Sequence, residues 1–253
     1  MKNLSIVIIT KNEEQNIAKC LDSIKDLSDD IIVVDSGSED DTENICKKYN
    51  LTFVFNEFED YSSQKNFGNN LAVNNYILSI DADEVLSLEL KRSIIELDFD
   101  EDSNIAYSNN RLNFHCGKPI KHGGWYPDKK IRIWNKNYGR WEGKIHEELL
   151  FAEKPKTFHL NGDLLHYTYH SREEHIKQAL KFSRLNAEKD FNDGKKTNYL
   201  AAYLSSCFRF ISVFIFKLGF LDGKTGFFIA QTTSRATFLR KTELIKLNRN
   251  TKK

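Results

Sequence analysis

Ser79-Ile80-Asp81-Ala82-Asp83-Glu84 places three carboxylates directly behind the apolar run Tyr76-Ile77-Leu78. A D-x-D spacing offers two hard oxygen ligands close together, the kind that Mg2+ or Mn2+ prefers. Acids at a strand's polar exit into solvent have the same look, and the six residues alone do not decide. Two other short segments carry matching chemistry: Thr10-Lys11-Asn12-Glu13 and Asp35-Ser36-Gly37-Ser38. Downstream, "EGKIHEELL" holds His146, Glu147 and Glu148, and "HCGKPIKHGGWYPDKKIRIWNK" holds Trp125, Tyr126, Arg132 and Trp134.

The elements that must position these residues alternate in type. Leu4–Ile9 and Ile31–Val34 are continuous β-branched runs, the pattern of strands buried on both faces. Helical spacing follows over 13–24, and a helix N-capped by Ser38 with an acidic first turn is expected to run to about Tyr49. Thr52–Phe55 is a third strand, 62–74 a helix, and Tyr76–Ile80 a fourth strand. Repeated β-α units imply an α/β fold with a mostly parallel sheet flanked by helices. Ligands bind such a sheet beyond the carboxyl ends of its strands. All three acidic or hydrogen-bonding segments above follow strand ends, and this placement favours metal over solvent for the D-x-D. Strands are also expected over 105–114 and 130–134, with an aromatic, glycine-rich loop between them as a candidate lid.

Several classes are excluded. "ITKNEE" after the first strand has no glycine, so neither a dinucleotide fingerprint nor a phosphate-cradling loop is present, and a divalent cation would have to neutralise a diphosphate instead. The residue four after His146 is Leu150, which removes zincin chemistry. Cys20, Cys46, Cys116 and Cys207 form no C-x-x-C pair, which fits a reducing compartment. The N-terminal apolar run is too short for a signal peptide, and a cytoplasmic location is expected.

Taken in order, "LSIVIITKNEEQNIAKCLDSI", "IIVVDSGSEDDT", "QKNFGNN" and "YILSIDADE" resemble the family-2 glycosyltransferases of the GT-A fold, closely over residues 4–98. The resemblance implies a nucleotide-diphospho-sugar donor, most simply a UDP-linked hexose, with a divalent metal (Mg2+ or Mn2+) and inversion at the anomeric carbon. It puts Thr10 and Glu13 at the nucleoside, with Asn12 and Ser36 on the same donor-binding edge, and has Asp35 accept the uracil N3–H. Lys65 falls near the nucleotide, Asp81 at the donor's sugars and Asp83 on the metal. Each has a plainer reading: a helix-start acid for Glu13, a turn acid for Asp35, a solvated helix residue for Lys65. The family's usual E-D pair is missing. "KIHEE" resembles instead a signature of a subgroup acting on lipopolysaccharide core, which makes Glu147 the expected base with His146 beside it; a charged surface helix start is the alternative. His166, in "LLHYTYHS", matches a histidine that can contact metal or diphosphate, or is structural. Trp125, Tyr126 and Arg132 are the acceptor-binding candidates, because aromatic faces stack on sugars and Arg pairs with phosphate.

These readings divide the chain into a catalytic domain over 1–170 and a helical extension over 171–253. The net charge of +1 hides an asymmetry: from His170 onward there are 17 Lys/Arg against 7 Asp/Glu. A basic, aromatic tail suits an anionic membrane interface, or it packs on the catalytic domain or a second subunit. The apolar stretch 203–221 is interrupted by Arg209 and Lys217, which argues against a membrane span. The rival functions are a nucleotidyltransferase, which "ITKNEE" does not fit, and a nucleic-acid-binding protein, for which no recognition motif is present.

Overall fold

A computed structural model describes residues 3–100, 102–143 and 147–250; His146 therefore lies outside the described residues. The chain divides into two compact units, one of residues 1–111 and 128–167, the other of 112–127 and 168–253. The aromatic loop thus groups with the C-terminal helices.

In the first unit, β1 (Leu4–Thr10), β2 (Asp30–Asp35), β3 (Thr52–Phe55) and β4 (Tyr76–Asp81) run parallel in the order β3-β2-β1-β4. Beyond β4 the sheet continues through β8 (Asp128–Asn135), β6 (Ile105–His115), β11 (Lys156–Tyr169) and β5 (Glu84–Leu86), with β4 and β8 antiparallel. Helices α1 (Ile17–Ile24), α2 (Thr42–Cys46), α3 (Tyr61–Leu71) and α4 (Leu88–Ile95) connect the strands. The residues of β1 are almost wholly buried, as its β-branched run requires, and they feed two cores. Ile6 and Ile8 face one with Leu21 and Ile24 of α1, and Val7 faces the other with Val34 and Trp134.

Two expectations change. Ser38 is not a helix cap, because its hydroxyl donates to Asp35 Oδ1 at 2.5 Å and accepts from the Asn12 amide at 2.8 Å. The helix starts later, at Thr42. The segment around Glu147 is no helix start either: β9 (Gly139–Glu142) and β10 (Glu148–Phe151) form an antiparallel hairpin.

In the second unit, the end of β6 pairs with β7 (Lys118–Pro119), and three helices follow. These are α5 (Arg172–Asn192), α6 (Tyr199–Ile211), extended by a π-helical turn over Ser212–Phe216, and α7 (Gly223–Asn250). Ser206 and Ser234 exchange hydrogen bonds at 2.9 Å between α6 and α7, and Arg240 of α7 donates to Asp190 of α5 at 2.6 Å. Gly226 opens α7 against Gly219: a Cβ there would sit 1.8 Å from the Gly219 carbonyl oxygen. His115 and His175 are buried together, Nε2 to Nδ1 at 3.2 Å, and the Tyr169 ring stacks on His175 at 4.4 Å between ring centres.

Candidate active site

Strand register brings the predicted donor residues level. Thr10 pairs with Asp35, and Ile9 with Asp81. The Thr10 hydroxyl is buried with no hydrogen-bond partner among the described residues. Asn12 adopts a left-handed φ of 55°, which Asn tolerates, and its side-chain oxygen accepts from the Glu39 amide at 2.8 Å. Asp35 is taken up by its own turn, accepting from the amides of Gly37 and Ser38 at 2.8 Å each. Glu13 lies ahead of the N-cap Asn16 of α1, whose first turn holds no acid, and its carboxylate accepts from the Asn16 side chain at 2.8 Å. Ser36 accepts from Gln64 of α3 at 2.9 Å.

Lys65 is no solvated helix residue: it is 1% exposed. Its Nζ lies 3.2 Å from Asp81 Oδ1 and 3.3 Å from Glu147 Oε1, and 4.6 Å from the centre of the Trp141 ring. Helix α3 builds this arrangement from side chains one turn apart. Ser62 donates to the Gly143 carbonyl at 2.7 Å, and Asn66 both donates to and accepts from the Trp141 backbone, at 2.8 and 3.0 Å. The helix thereby holds β9 as an added strand would, and Glu147 at the hairpin's return comes within reach of Lys65.

Asp81 sits between two cations, with Arg132 Nη2 3.5 Å from Oδ2. Burial would raise its pKa, but Lys65 and Arg132 outweigh that and hold the carboxyl well below the usual range. Its Oδ1 has the Lys65 charge nearby but no well-aligned hydrogen bond. Arg132 is buried and committed inward to Glu84, which is itself fully buried and accepts from the Asp81 amide at 3.1 Å. These two acids keep the guanidinium charged against its burial. Glu84, which by sequence either supports the site or starts the next turn, has zero exposure and forms the floor of the cluster.

Asp83 and His166 meet as a pair, Oδ2 to Nε2 at 3.1 Å. The ladder aligns them: His166 pairs with Glu84 across β11 and β5, and the Tyr167 amide donates to the Asp83 carbonyl at 3.0 Å. Burial alone would depress His166; the Asp83 carboxylate reverses this and raises it. A cavity of about 640 Å³ opens over the cluster, lined by Asp81, Arg132, Trp141 and Glu147 with Lys129 and Lys130. That is room for a hexose and a diphosphate. Arg132 Nε and Trp141 Nε1 are buried there without partners among the described residues. Trp125 and Tyr126 are not gathered here. They belong to the second unit, where Trp125 packs near His175 at 5.8 Å between ring centres.

A mixed sheet whose parallel strand ends bring acidic, amide and cationic groups to one edge is the ligand-binding edge of an α/β fold. Residues 5–167 match the model of glycosyl transferase family 2, and the chain belongs to that family. It is 32% identical over 98% of its length to an uncharacterized glycosyltransferase of Rickettsia typhi, of which the match covers 88%. It is 26% identical to the lipopolysaccharide core biosynthesis glycosyltransferase LpsC of Rhizobium meliloti, over 93% of this chain and 89% of that one. Among solved structures it is similar to a mannosyltransferase of Pyrobaculum calidifontis in complex with GDP-Man and Mn2+. The TM-score is 0.55 at 13% identity, covering 96% and 87% of the two chains, and the fold is GT-A. Family membership decides against the nucleotidyltransferase and the nucleic-acid-binding protein.

Proposed function

We propose that the enzyme is an inverting, metal-assisted glycosyltransferase that moves a hexose from a nucleotide-diphospho-sugar, UDP-linked in the simplest case, to a lipid-linked or lipopolysaccharide-core-type saccharide. The observation that carries this reading is the meeting of Asp81 and Glu147 at the wall of one cavity, bridged from behind by the buried Lys65. Similarity to LpsC supports the acceptor class.

Thr10, Asn12, Glu13, Asp35 and Ser36 line the strand ends on the donor side, and the unpartnered Thr10 hydroxyl is free to bond there. Asp83 and His166 fit a divalent cation, as one hard oxygen and one imidazole nitrogen already together. Among the described residues no third His, Cys, Asp or Glu joins them, which leaves positions for diphosphate oxygens and water, as Mg2+ and Mn2+ require. Such an ion, when bound, would supply positive charge to offset the diphosphate's. Glu147 takes the proton of the acceptor hydroxyl as that oxygen attacks the anomeric carbon and the bond to the diphosphate breaks. Lys65 orients Glu147 and keeps Asp81 ionised beside the sugar.

Donor hydrolysis across a panel of nucleotide sugars, with and without Mn2+, tests the reading. Turnover should vanish on chelation and in Asp83→Ala. Full turnover in either case contradicts the metal assignment.

A further inference from the structure

The second unit carries a cavity of its own, about 720 Å³, between α5, α6 and α7. Five cations line it, Lys195, Lys196, Arg209, Arg240 and Lys241, against one acid, Asp190. Asp190 is already taken, 2.7 Å from Lys195 and 2.6 Å from Arg240. Lys196, Arg209 and Lys241 have no carboxylate within 4.0 Å among the described residues, and the hydroxyls of Ser205 and Ser212 lie in the same wall. Three uncompensated cations with hydroxyl donors make an anion site, and phosphate is the anion such a set fits.

The cavity also has an apolar side. Leu204 and Phe208 line it, and both belong to an exposed stripe at helical spacing along α6 that includes Leu200, Ile211 and Ile215. Leu200 is 68% exposed and Phe208 63%. Phe214 packs against Val213 and Ile229, whereas Phe208, Ile211 and Leu218 are exposed. By length and composition the 18 residues Tyr199–Phe216 could cross a membrane, with a mean hydropathy of 1.6. Arg209 near their centre, facing the basic cavity, favours a helix lying at the interface.

We infer that this cavity takes the phosphate headgroup of an anionic membrane lipid while the α6 stripe enters the acyl boundary beside it. A soluble phosphate would leave the stripe in water. A second copy of this chain would bring another uncompensated basic surface against this one. The inference gives the lipid-linked acceptor of the proposed function a docking surface, yet vesicle binding needs no donor, so it fails or holds independently of donor hydrolysis.

The test is partition of the full-length protein onto phosphatidylcholine vesicles with and without phosphatidic acid. Binding should require the anionic lipid and weaken as salt rises. Each lost cation should lower partition about fivefold, so Lys196→Gln/Arg209→Gln/Lys241→Gln should lower it on the order of a hundredfold. Leu200→Ser/Phe208→Ser should abolish partition, with donor hydrolysis in solution and thermal melting retained in both variants. Equal binding to neutral vesicles, or unchanged partition of the triple variant, overturns the inference. So does a dimer by light scattering that dissociates in Leu200→Ser/Phe208→Ser, or saturable binding of glycerol phosphate by a protein that ignores vesicles.

Discussion

The buried pair His115–His175 makes the second unit acid-sensitive by a calculable amount. At 3.2 Å, one ring nitrogen must donate and the other accept, so the accepting ring is neutral, and burial disfavours charge on both. Burial, followed by repulsion from His115, pushes His175 down from 6.5 to about 4; burial and Arg172 lower His115 in the same direction. Unfolding releases His175 to its ordinary value, so between about pH 6.5 and 4 the unfolded chain binds more protons than the native one. Stability then rises with pH through that window, and is lost as pH falls. The full shift corresponds to about 3 kcal/mol, at about 1.4 kcal/mol per pH unit, and roughly 2 kcal/mol of it has gone by about pH 5. Urea denaturation of the intact protein from neutral pH to pH 4.5 reads this as a falling midpoint, and the His175 ring proton shift in NMR reads the titration directly. In His175→Phe, whose ring can still stack on Tyr169, that share of the acid loss should disappear. A His175 that titrates near 6.5, or a variant with the wild-type pH slope, refutes the reasoning.

Three further outcomes follow from the first unit. Glu147→Gln should leave donor binding in place and cut transfer by about 10²- to 10⁴-fold, the usual weight of a general base; retained transfer moves the base elsewhere. Lys65→Met should cost about 3 kcal/mol, the low end for breaking a buried pair, because Asp81 keeps Arg132 and both carboxylates are partly exposed. An unchanged urea midpoint would show that Lys65 is not holding Asp81. Gly68→Ala places a Cβ 2.4 Å from Val7 Cγ1 and 2.9 Å from Val34 Cγ2. The overpacking, about 1–3 kcal/mol, should exceed the helix propensity gained, about 1 kcal/mol; a more stable variant would contradict the tight packing of α3 on the sheet.

Periodicity exposed the parallel half of the sheet because β1, β2 and β4 are buried on both faces and read as near-continuous apolar runs. Thr52–Phe55 is found where the residues predict it, and the later strands near theirs. The remainder was hidden for a definite reason. β11 reads "KTFHLNGDLLHYTY", with one face half-exposed and a glycine inside, so its pattern imitates a loop. The strands β9 and β10 flank a segment whose charge density imitates a helix start, and β9 is held by Asn66 and its neighbour Gly143 by Ser62, both from a distant helix. No local pattern records such a tertiary hold.

The site was legible at its strand ends and opaque in its pairings. "SIDADE" placed three acids at one edge, but their roles depend on partners from other elements: Lys65 from α3, Arg132 from β8 and His166 from β11. Arg132 shows the difficulty best. Its expected strand, 130–134, is found within β8, but only the antiparallel pairing with β4 turns it to the carboxylates of Asp81 and Glu84. A guanidinium buried there without acids would be untenable, and acids buried there without it would protonate. Glu84 and Arg132 therefore act as one unit that keeps Asp81 charged at the cavity wall, leaving the second aspartate of the D-x-D to pair with His166.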